Sequence, residues 1–385
     1  MKIGQFCETY PPMIDGVGKV MLAYCDTLNK EGHESYYVAP DNPRYKEYVP
    51  VVPSVLYRAM PVPTQPYGFG FPNISPLFLR KLKDMKFDVV HAHGPFFAGR
   101  AARVIARKQG IPLVTTFHSK YYDDFYRITH SEKIARLVVR YIISFYNTCD
   151  EVWTLNEGTK KVLEEYGYKG PIVIMPNGTD LYEMSREKID ECLKKFTVRD
   201  GVPVFLFVGQ IDHKKNIDSI IEACRILRSQ EHDFDMLLAG QGADQHYFEK
   251  KVSEYGLTEC VHFIGFIGDP DDLHAIYDRA DLLVFPSVYD NASMVVREAA
   301  TMGTPPLLIR GSCTAEGVVH GENGYLCENT PEDIAKQMWD SLPTLKQTGA
   351  MAKETIPVAW KTIIGQVVER YSALADKKAA ENRKH

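Results

Sequence analysis

The sequence predicts an α/β protein built from two parallel-sheet domains with helices on both faces, and three observations carry that expectation. Short β-rich runs alternate with helical patterns along the chain, as they do where crossover helices join parallel strands. At 385 residues the chain is too long for one typical core and suits two domains of ordinary size. Strand-length runs such as residues 282–285 are apolar throughout instead of alternating, which fits strands covered on both faces.

In order, strands are expected at residues 3–7, 35–39, 88–93, 112–118, 151–155 and 172–175, with a helix over 17–30 after the first. A second series follows at residues 204–208, 236–239, 261–264, 282–285 and 306–309. The join falls in the polar stretch 177–200, giving expected domains at residues 1–180 and 181–356. Residues 357–385 hold a terminal helix over about 357–375 and a charged tail, 377–385, expected to fray. A proline-rich stretch, 50–76, reads as loop.

Composition narrows the function. A 45% hydrophobic and 25% charged chain is of the soluble globular kind, and a formal charge of -5 gives no general case for nucleic-acid binding. Cys7, Cys25, Cys149, Cys192, Cys224, Cys260, Cys313 and Cys327 have no short paired spacing, which speaks against zinc sites and disulfide frameworks and for a reducing cytoplasm. No apolar run approaches membrane-spanning length, and Met1 leads into a strand instead of a signal core, so the chain is expected neither to be secreted nor to span a bilayer.

In open parallel sheets ligands gather at the carboxyl ends of strands, so the residues after each strand are the candidates for chemistry. The most informative stretch is 281–303, DLLVFPSVYDNASMVVREAATMG, a buried strand leading through a polar turn into an amphipathic helix. Asp290 and Asn291 offer turn and N-cap chemistry, and Val295, Val296, Ala299 and Met302 mark one helical face. A ligand phosphate would meet backbone N–H groups and a positive dipole end there. Asp290 and Glu298 then place one carboxylate at the helix mouth and another two turns in, near the same face. Carboxylates beside an anion site point to a ligand with hydroxyls as well as phosphates, such as a nucleotide sugar, although acidic residues at this spacing are commonly just solvated.

Four further strand ends add candidates. Residues 11–18, PPMIDGVG, put Gly16, Val17 and Gly18 in a loop that opens a helix, suited to a phosphate or sugar or simply to a sharp corner. His118 ends its strand in TTFH, where a histidine is either structural or catalytic. In the second series one strand runs into Gly209, Gln210 and then Lys214-Lys215, and another into Gly240-Gln241-Gly242. Lys215, near a helix start, can meet phosphate charge or lie solvated.

Together these pieces resemble a family 4 glycosyltransferase of the GT-B fold over nearly the full length. The resemblance rests on Gly16-Val17-Gly18, His91-Ala92-His93, Phe117-His118, Pro176-Asn177-Gly178-Thr179-Asp180, residues 209–215, Gly240-Gln241-Gly242, residues 290–298 with Ala299, and Gly321-Glu322-Asn323-Gly324. Trp360 in the terminal helix is similar to the family's last helix, which crosses back onto the first domain.

That resemblance implies two Rossmann-like, doubly wound domains with a cleft between them, and a retaining hexosyltransferase whose nucleotide-sugar donor is held mainly by the second. Glu298 would hold the ribose hydroxyls, backbone groups around Ala292, Ser293, Met294 and Val295 would meet the sugar and diphosphate, and Asp290 would face the donor sugar. His118 would lie near that sugar, and Gly16 to Gly18 would approach the diphosphate. The leaving diphosphate would take the acceptor proton on the same face, while Lys215 and helix N-termini neutralise its charge without an obligatory metal or other cofactor. His118, Asp290 and Lys215 are thus the catalytic candidates, and Gly209, Gln210, Gly240, Gly242, Asn291 and Arg310 join the donor site. No DxD-type motif stands at a strand end; Asp123-Asp124 and Asp271-Asp272 read as helix or loop charges.

Two positions depart from the family. Its usual glutamate is Asp290, one methylene shorter, and its usual strand-end arginine is Gln210, which removes a fixed positive charge. Arg310 is the expected compensating cation, ahead of Lys214, because adjacent residues at a helix start point about 100° apart and only one of Lys214 and Lys215 can face the phosphate. The expected donor is a UDP-hexose. Rival readings are a nucleotide-sugar epimerase of the same fold and a catalytically inactive glycan-binding scaffold; the aromatic and basic stretch 120–146 favours a transferase, which needs an acceptor surface.

Residues 75–86, SPLFLRKLKDMK, set Arg80, Lys81, Lys83 and Lys86 beside Leu77, Phe78, Leu79, Leu82 and Met85. Such a helix either lies on anionic lipid at the cytoplasmic face of a membrane, with a glycolipid or lipid-linked glycan as acceptor, or packs its apolar side on the sheet.

Overall fold

The computed structural model describes residues 1–11, 16–41, 49–61 and 68–383. Its first elements are β1 (Lys2–Phe6), α1 (Gly16–Lys30), β2 (Glu34–Pro40), β3 (Ser54–Tyr57), β4 (Met60–Pro61), β5 (Gly68–Phe69), α2 (Pro76–Asp84), β6 (Val89–Ala92) and α3 (Phe97–Gln109). They continue with β7 (Leu113–Phe117), α4 (Tyr121–Thr129), α5 (Glu132–Tyr146), β8 (Glu151–Thr154), α6 (Glu157–Glu165), β9 (Ile172–Ile174) and α7 (Arg186–Leu193). Then come β10 (Val204–Val208), α8 (Ile217–Ser229), β11 (Asp235–Ala239), α9 (Gln245–Glu254), β12 (Val261–Gly265), α10 (Pro270–Arg279), β13 (Leu282–Phe285) and α11 (Met294–Thr301). The chain closes with β14 (Pro306–Ile309), β15 (Tyr325–Cys327), α12 (Pro331–Asp340), α13 (Leu345–Thr355) and α14 (Trp360–Asn382).

The chain divides into two compact units, residues 1–178 with 360–385, and residues 179–359. Each is a Rossmann-like parallel sheet. The first orders its strands β3-β2-β1-β6-β7-β8-β9, the second β12-β11-β10-β13-β14-β15. The continuous apolar runs behave as expected of strands covered on both sides: β7, β11, β13 and β14 are buried at every residue. In each sheet the winding reverses once, between β1 and β6 and between β10 and β13. In open parallel sheets such reversals are where ligands bind, at the strands' carboxyl ends.

Three regions differ from the sequence expectation. The stretch 50–76 contains β3, paired in parallel with β2, and the antiparallel pair β4–β5. In β3, Val55 and Tyr57 point into the core at period two, a pattern obscured in the sequence by the surrounding prolines; residues 62–67 lie outside the described residues. β15 has three residues, too few for periodicity to show. The tail does not fray at residue 377: α14 runs on to Asn382, with Lys378 Nζ 2.7 Å from Asp150 Oδ1 and Asn382 Nδ2 donating to the Gly110 carbonyl at 2.8 Å, and residues 384–385 lie outside the description. α14 packs in the first unit through Trp360, Ile363, Ile364, Val367, Tyr371 and Leu374, the three-and-four spacing of one helical face. Among the described residues no helix is long and apolar enough to cross a membrane.

Candidate active site

In the second unit the two strands flanking the reversal deliver opposite charges to one point. After β10, Asp212 accepts the Lys214 N–H at 2.7 Å and starts a single 3-10 turn, which Asn216 ends in the left-handed region at φ 60°. Asn216 Nδ2 donates to the Pro286 carbonyl at 3.2 Å, tying this loop to the end of β13. The turn carries Lys215 Nζ across the Phe285 ring onto Asp290, 2.6 Å from Oδ1 and 2.8 Å from Oδ2. Both side chains are mostly buried, at 14% and 20% exposure, so the pair sits where its attraction is screened far less than at the surface. Ser287 Oγ donates to Asp290 Oδ2 at 2.5 Å and Thr314 Oγ1 to the Asp290 carbonyl at 3.1 Å, which locks the carboxylate's orientation.

Asp290 and Asn291 do not cap the following helix. α11 begins at Met294 behind Ser293, whose side chain makes no capping bond, and the Asp290 carboxylate is committed to Lys215 and Ser287 instead. Ala292, Ser293, Met294 and Val295 form the helix mouth and are each half-buried. Glu298, one turn further in, accepts the Tyr277 hydroxyl at 3.1 Å. Tyr277 is fully buried on α10; burial first, and Glu298 second, push its phenol well above the ordinary range, so it remains a donor. Next to Glu298, Arg297 donates to the Ile356 carbonyl at 3.0 Å, and burial pulls its guanidinium down.

Arg310 is not brought to this group. Its Nε lies 3.2 Å from Glu328 Oε1, and the two side chains are 52% and 68% exposed. Lys214 sits 3.8 Å from Asp212 with its ammonium over the Tyr289 ring, and Gln210 is exposed. The glycines have a plainer use than ligand approach. A Cβ on Gly240, whose φ is 140°, would come within 1.8 Å of the Gly209 carbonyl oxygen, and one on Gly242 within 2.1 Å of that of Ile211. The loops after β10 and β11 thus need both positions bare to pack on each other. The acidic pairs read as helix charges lie there: Asp123-Asp124 and Asp271-Asp272 are in the first turns of α4 and α10. Among the described residues no three His, Cys, Asp or Glu side chains gather as ligands for a metal ion.

In the first unit the groups at the reversal are neutral or nearly so. Gly16 is exposed and Gly18 buried at the start of α1, while Pro12 to Asp15 lie outside the described residues. His118 follows β7 and contacts His93 Nδ1 through its Nε2 at 3.1 Å; burial holds its imidazole down to about 4. His91 and His93 are buried and held well below the ordinary range, by burial first and by the neighbouring imidazoles second. Glu8, after β1, accepts the Ala98 N–H in the first turn of α3 at 3.1 Å, and burial raises its carboxyl from the usual 4.5 to about 7 against the pull of those backbone bonds. Gly94 must be bare for it, since a Cβ there would fall 2.1 Å from Glu8 Oε2.

Sequence reasoning missed Tyr277 and Ser287, which hold the two carboxylates, and Thr314, which holds the Asp290 carbonyl, along with Glu8, Tyr371 and Gln5, whose Oε1 lies 2.8 Å from His93 Nε2. Only His91 and His93 carried a visible signal, as a short motif.

Comparison with known proteins shows the family. Residues 188–381 match the model of glycosyl transferases group 1, and residues 14–183 that of glycosyltransferase family 4. The chain belongs to the family 4 glycosyltransferases. Among its relatives, this glycosyltransferase is 25% identical to the alpha-monoglucosyldiacylglycerol synthase of Streptococcus pneumoniae over 79% of this chain and 70% of that one. It is 24% identical to the enzyme of the same name from Acholeplasma laidlawii, over 98% and 100%. A solved structure of Anabaena HepE in complex with UDP and glucose superposes with a TM-score of 0.77 at 18% identity, covering 97% of this chain and 100% of that one, which shows the shared GT-B fold.

Proposed function

We propose that the chain is a retaining glycosyltransferase that moves a hexose from a UDP-sugar to a hydroxyl of a membrane-borne acceptor. The observation that carries this reading is the buried Lys215–Asp290 pair at the β10/β13 reversal, with Glu298 on the helix that follows. An ammonium fixed by two carboxylate contacts is a preorganised cation, able to meet charge as it develops on a leaving diphosphate without moving. Lys215 does this with no obligatory metal, helped by the backbone N–H groups at the start of α11. Glu298, oriented by Tyr277, takes the ribose hydroxyls, and Asp290 faces the sugar. The bond from the anomeric carbon to the diphosphate oxygen breaks, the acceptor oxygen bonds to that carbon from the same face, and the acceptor proton passes to the departing phosphate. His118 serves the chemical step.

Relatives named for monoglucosyldiacylglycerol synthesis support a lipid hydroxyl such as that of diacylglycerol as acceptor; a glycolipid or lipid-linked glycan at the cytoplasmic face of a membrane is the wider class to which this reading extends. The surface of the first unit agrees. On α2, Phe78, Leu79 and Leu82 turn into the core, so the packing alternative holds for that face, yet Leu77 is 83% exposed beside exposed Arg80, Lys81 and Lys83. The hairpin of α4 and α5 offers more: Ile128, Ile134, Leu137 and Tyr141 are exposed among Arg127, Lys133, Arg136 and Arg140. Each near-surface cation contributes about 1 kcal/mol on anionic lipid.

The test is to incubate the protein with UDP-, GDP- and ADP-hexoses and anionic vesicles with and without diacylglycerol, following nucleotide release, anomeric configuration and co-sedimentation. The reading expects acceptor-dependent release of UDP, a product with the donor's configuration, and vesicle binding at low salt. Acceptor-free conversion of the sugar, or inversion at the anomeric carbon, would overturn it.

A further inference from the structure

We propose that Gln5 and Tyr371 are positioning residues that hold His118 as its Nε2–H tautomer, leaving Nδ1 as its acceptor nitrogen. The inference deepens the reading of His118 as a participant in transfer and rests on that reading for its functional consequence.

The residues form one unbroken hydrogen-bonded chain inside the first unit. Gln5 on β1 stands opposite His91 on β6 in the sheet register, and Tyr371 of α14 brings its hydroxyl to both. From Tyr371 one branch runs through Gln5 Nε2 (3.3 Å), then from Gln5 Oε1 to His93 Nε2 (2.8 Å), and from His93 Nδ1 to His118 Nε2 (3.1 Å). The other runs from Tyr371 to His91 Nδ1 (2.5 Å) and from His91 Nε2 to Thr116 Oγ1 (2.8 Å). Gln5, His91, Thr116 and Tyr371 are at most 2% exposed, as is His93.

A neutral imidazole carries one N–H and a phenol one O–H, so choosing the direction of one bond fixes all the others. The Tyr371–His91 contact makes the choice. Hydroxyl donors form bonds shorter than N–H donors, and a 2.5 Å separation fits Tyr371 O–H donating to His91 Nδ1. The Tyr371 oxygen must then accept from the Gln5 amide, which turns Gln5 Oε1 toward His93 and demands a proton on His93 Nε2. His93 Nδ1 is left as an acceptor, so the shared bond takes its proton from His118 Nε2. His91, bare at Nδ1, donates through Nε2 to Thr116.

The packing holds the rings in these orientations. His91 stacks on His93 at 4.2 Å and His93 on His118 at 5.3 Å, while Tyr24 meets the first two edge-on and Trp153 stacks on Tyr371. Burial keeps all three imidazoles neutral at neutral pH, as the one-proton count requires. The consequence for chemistry is specific. An acceptor nitrogen takes a hydrogen bond from a sugar hydroxyl and cannot donate to an oxyanion, so His118 orients the sugar and leaves the leaving charge to Lys215.

The test is NMR of isotope-labelled histidine ring nitrogens in the full chain at neutral pH, with His118→Asn and His93→Asn to assign the signals. The wild type is expected to show His118 protonated at Nε2 and lone-paired at Nδ1. Gln5→Leu and Tyr371→Phe should give a mixture of both tautomers, whereas Gln5→Glu, which still accepts from His93, should keep the Nε2–H form. In transfer assays Gln5→Leu should lower kcat about tenfold with the KM for UDP-sugar unchanged. His118 protonated at Nδ1 in the wild type, or an unaltered tautomer in both Gln5→Leu and Tyr371→Phe, would overturn the proposal. The wild-type spectrum decides even if a variant fails to fold. A correct tautomer together with a fully active His118→Ala would uphold the network and remove His118 from the mechanism.

Discussion

The two sheet reversals share a topology and differ in charge. At β10/β13 a lysine and an aspartate meet as a mostly buried ion pair, with a second carboxylate on the next helix. At β1/β6 the polar groups are an amide, a phenol and imidazoles held neutral by burial, beside a carboxyl raised to about 7. Parallel strands and crossover helices are common to both, so the difference in charge lies in the residues placed on them. A fixed cation suits a diphosphate; a neutral, directional network suits a hydroxyl.

The largest expected effect tests how nearly neutral the first reversal is. The folded state raises Glu8 from 4.5 to about 7 and therefore binds its proton more tightly than the unfolded chain. Stability should thus fall as pH rises from about 4.5 to about 7, with the full loss present above that window. The imidazoles act in the opposite sense. His118 is lowered to about 4, so the stability it contributes is present above its ordinary 6.5 and is lost as pH falls toward about 4. Glu8→Gln removes the first slope alone. Chemical denaturation should find the variant gaining on the wild type between the acid and alkaline ends of the window, by on the order of 3 kcal/mol. A parallel pair of stability curves would show that Glu8 titrates normally and that the first reversal is charged after all.

Next in size is Glu298→Ala at the second reversal. Losing hydrogen bonds to a charged group costs about 1.5–3 kcal/mol, so the KM for donor should rise by roughly 10- to 100-fold with kcat little changed. Steady-state kinetics beside a normal thermal melt checks it; a fall confined to kcat would move Glu298 from binding to chemistry. The smallest effect belongs to Arg310→Ala. Its exposed pairing with Glu328 is worth at most about 1 kcal/mol, and activity should fall less than about fivefold. A loss on the scale of a missing catalytic cation would mean that the second reversal has two positive groups, as the replacement of the family's arginine by Gln210 led us to expect.

What was legible in the sequence follows from how local each signal is. Apolar runs such as residues 204–208 and 306–309 announce buried parallel strands because burial on both faces writes itself into consecutive residues. Asp290, Glu298 and Lys215 were legible because each stands shortly after such a strand. The groups that hold them were not: Tyr277 reaches Glu298 from another helix, and Thr314 reaches Asp290 from beyond β14. Gln5 and Tyr371 are separated by nearly the whole chain and meet only because α14 packs against the first sheet's unit. The N-cap was misplaced for a related reason, since Asp290 has good capping chemistry but a stronger partner in Lys215.

The proposed contrast between a charged donor site and a neutral site for the chemical step is tested most directly by calorimetric titration of UDP into three proteins: the wild type, Lys215→Ala and His118→Ala. Lys215→Ala removes the cation and leaves Asp290 without its counter-charge, so UDP should bind about 100-fold more weakly, about 2.7 kcal/mol. His118→Ala should bind UDP within about twofold of the wild type while losing turnover. Equal weakening in both variants, or undiminished UDP binding by Lys215→Ala, would contradict the account.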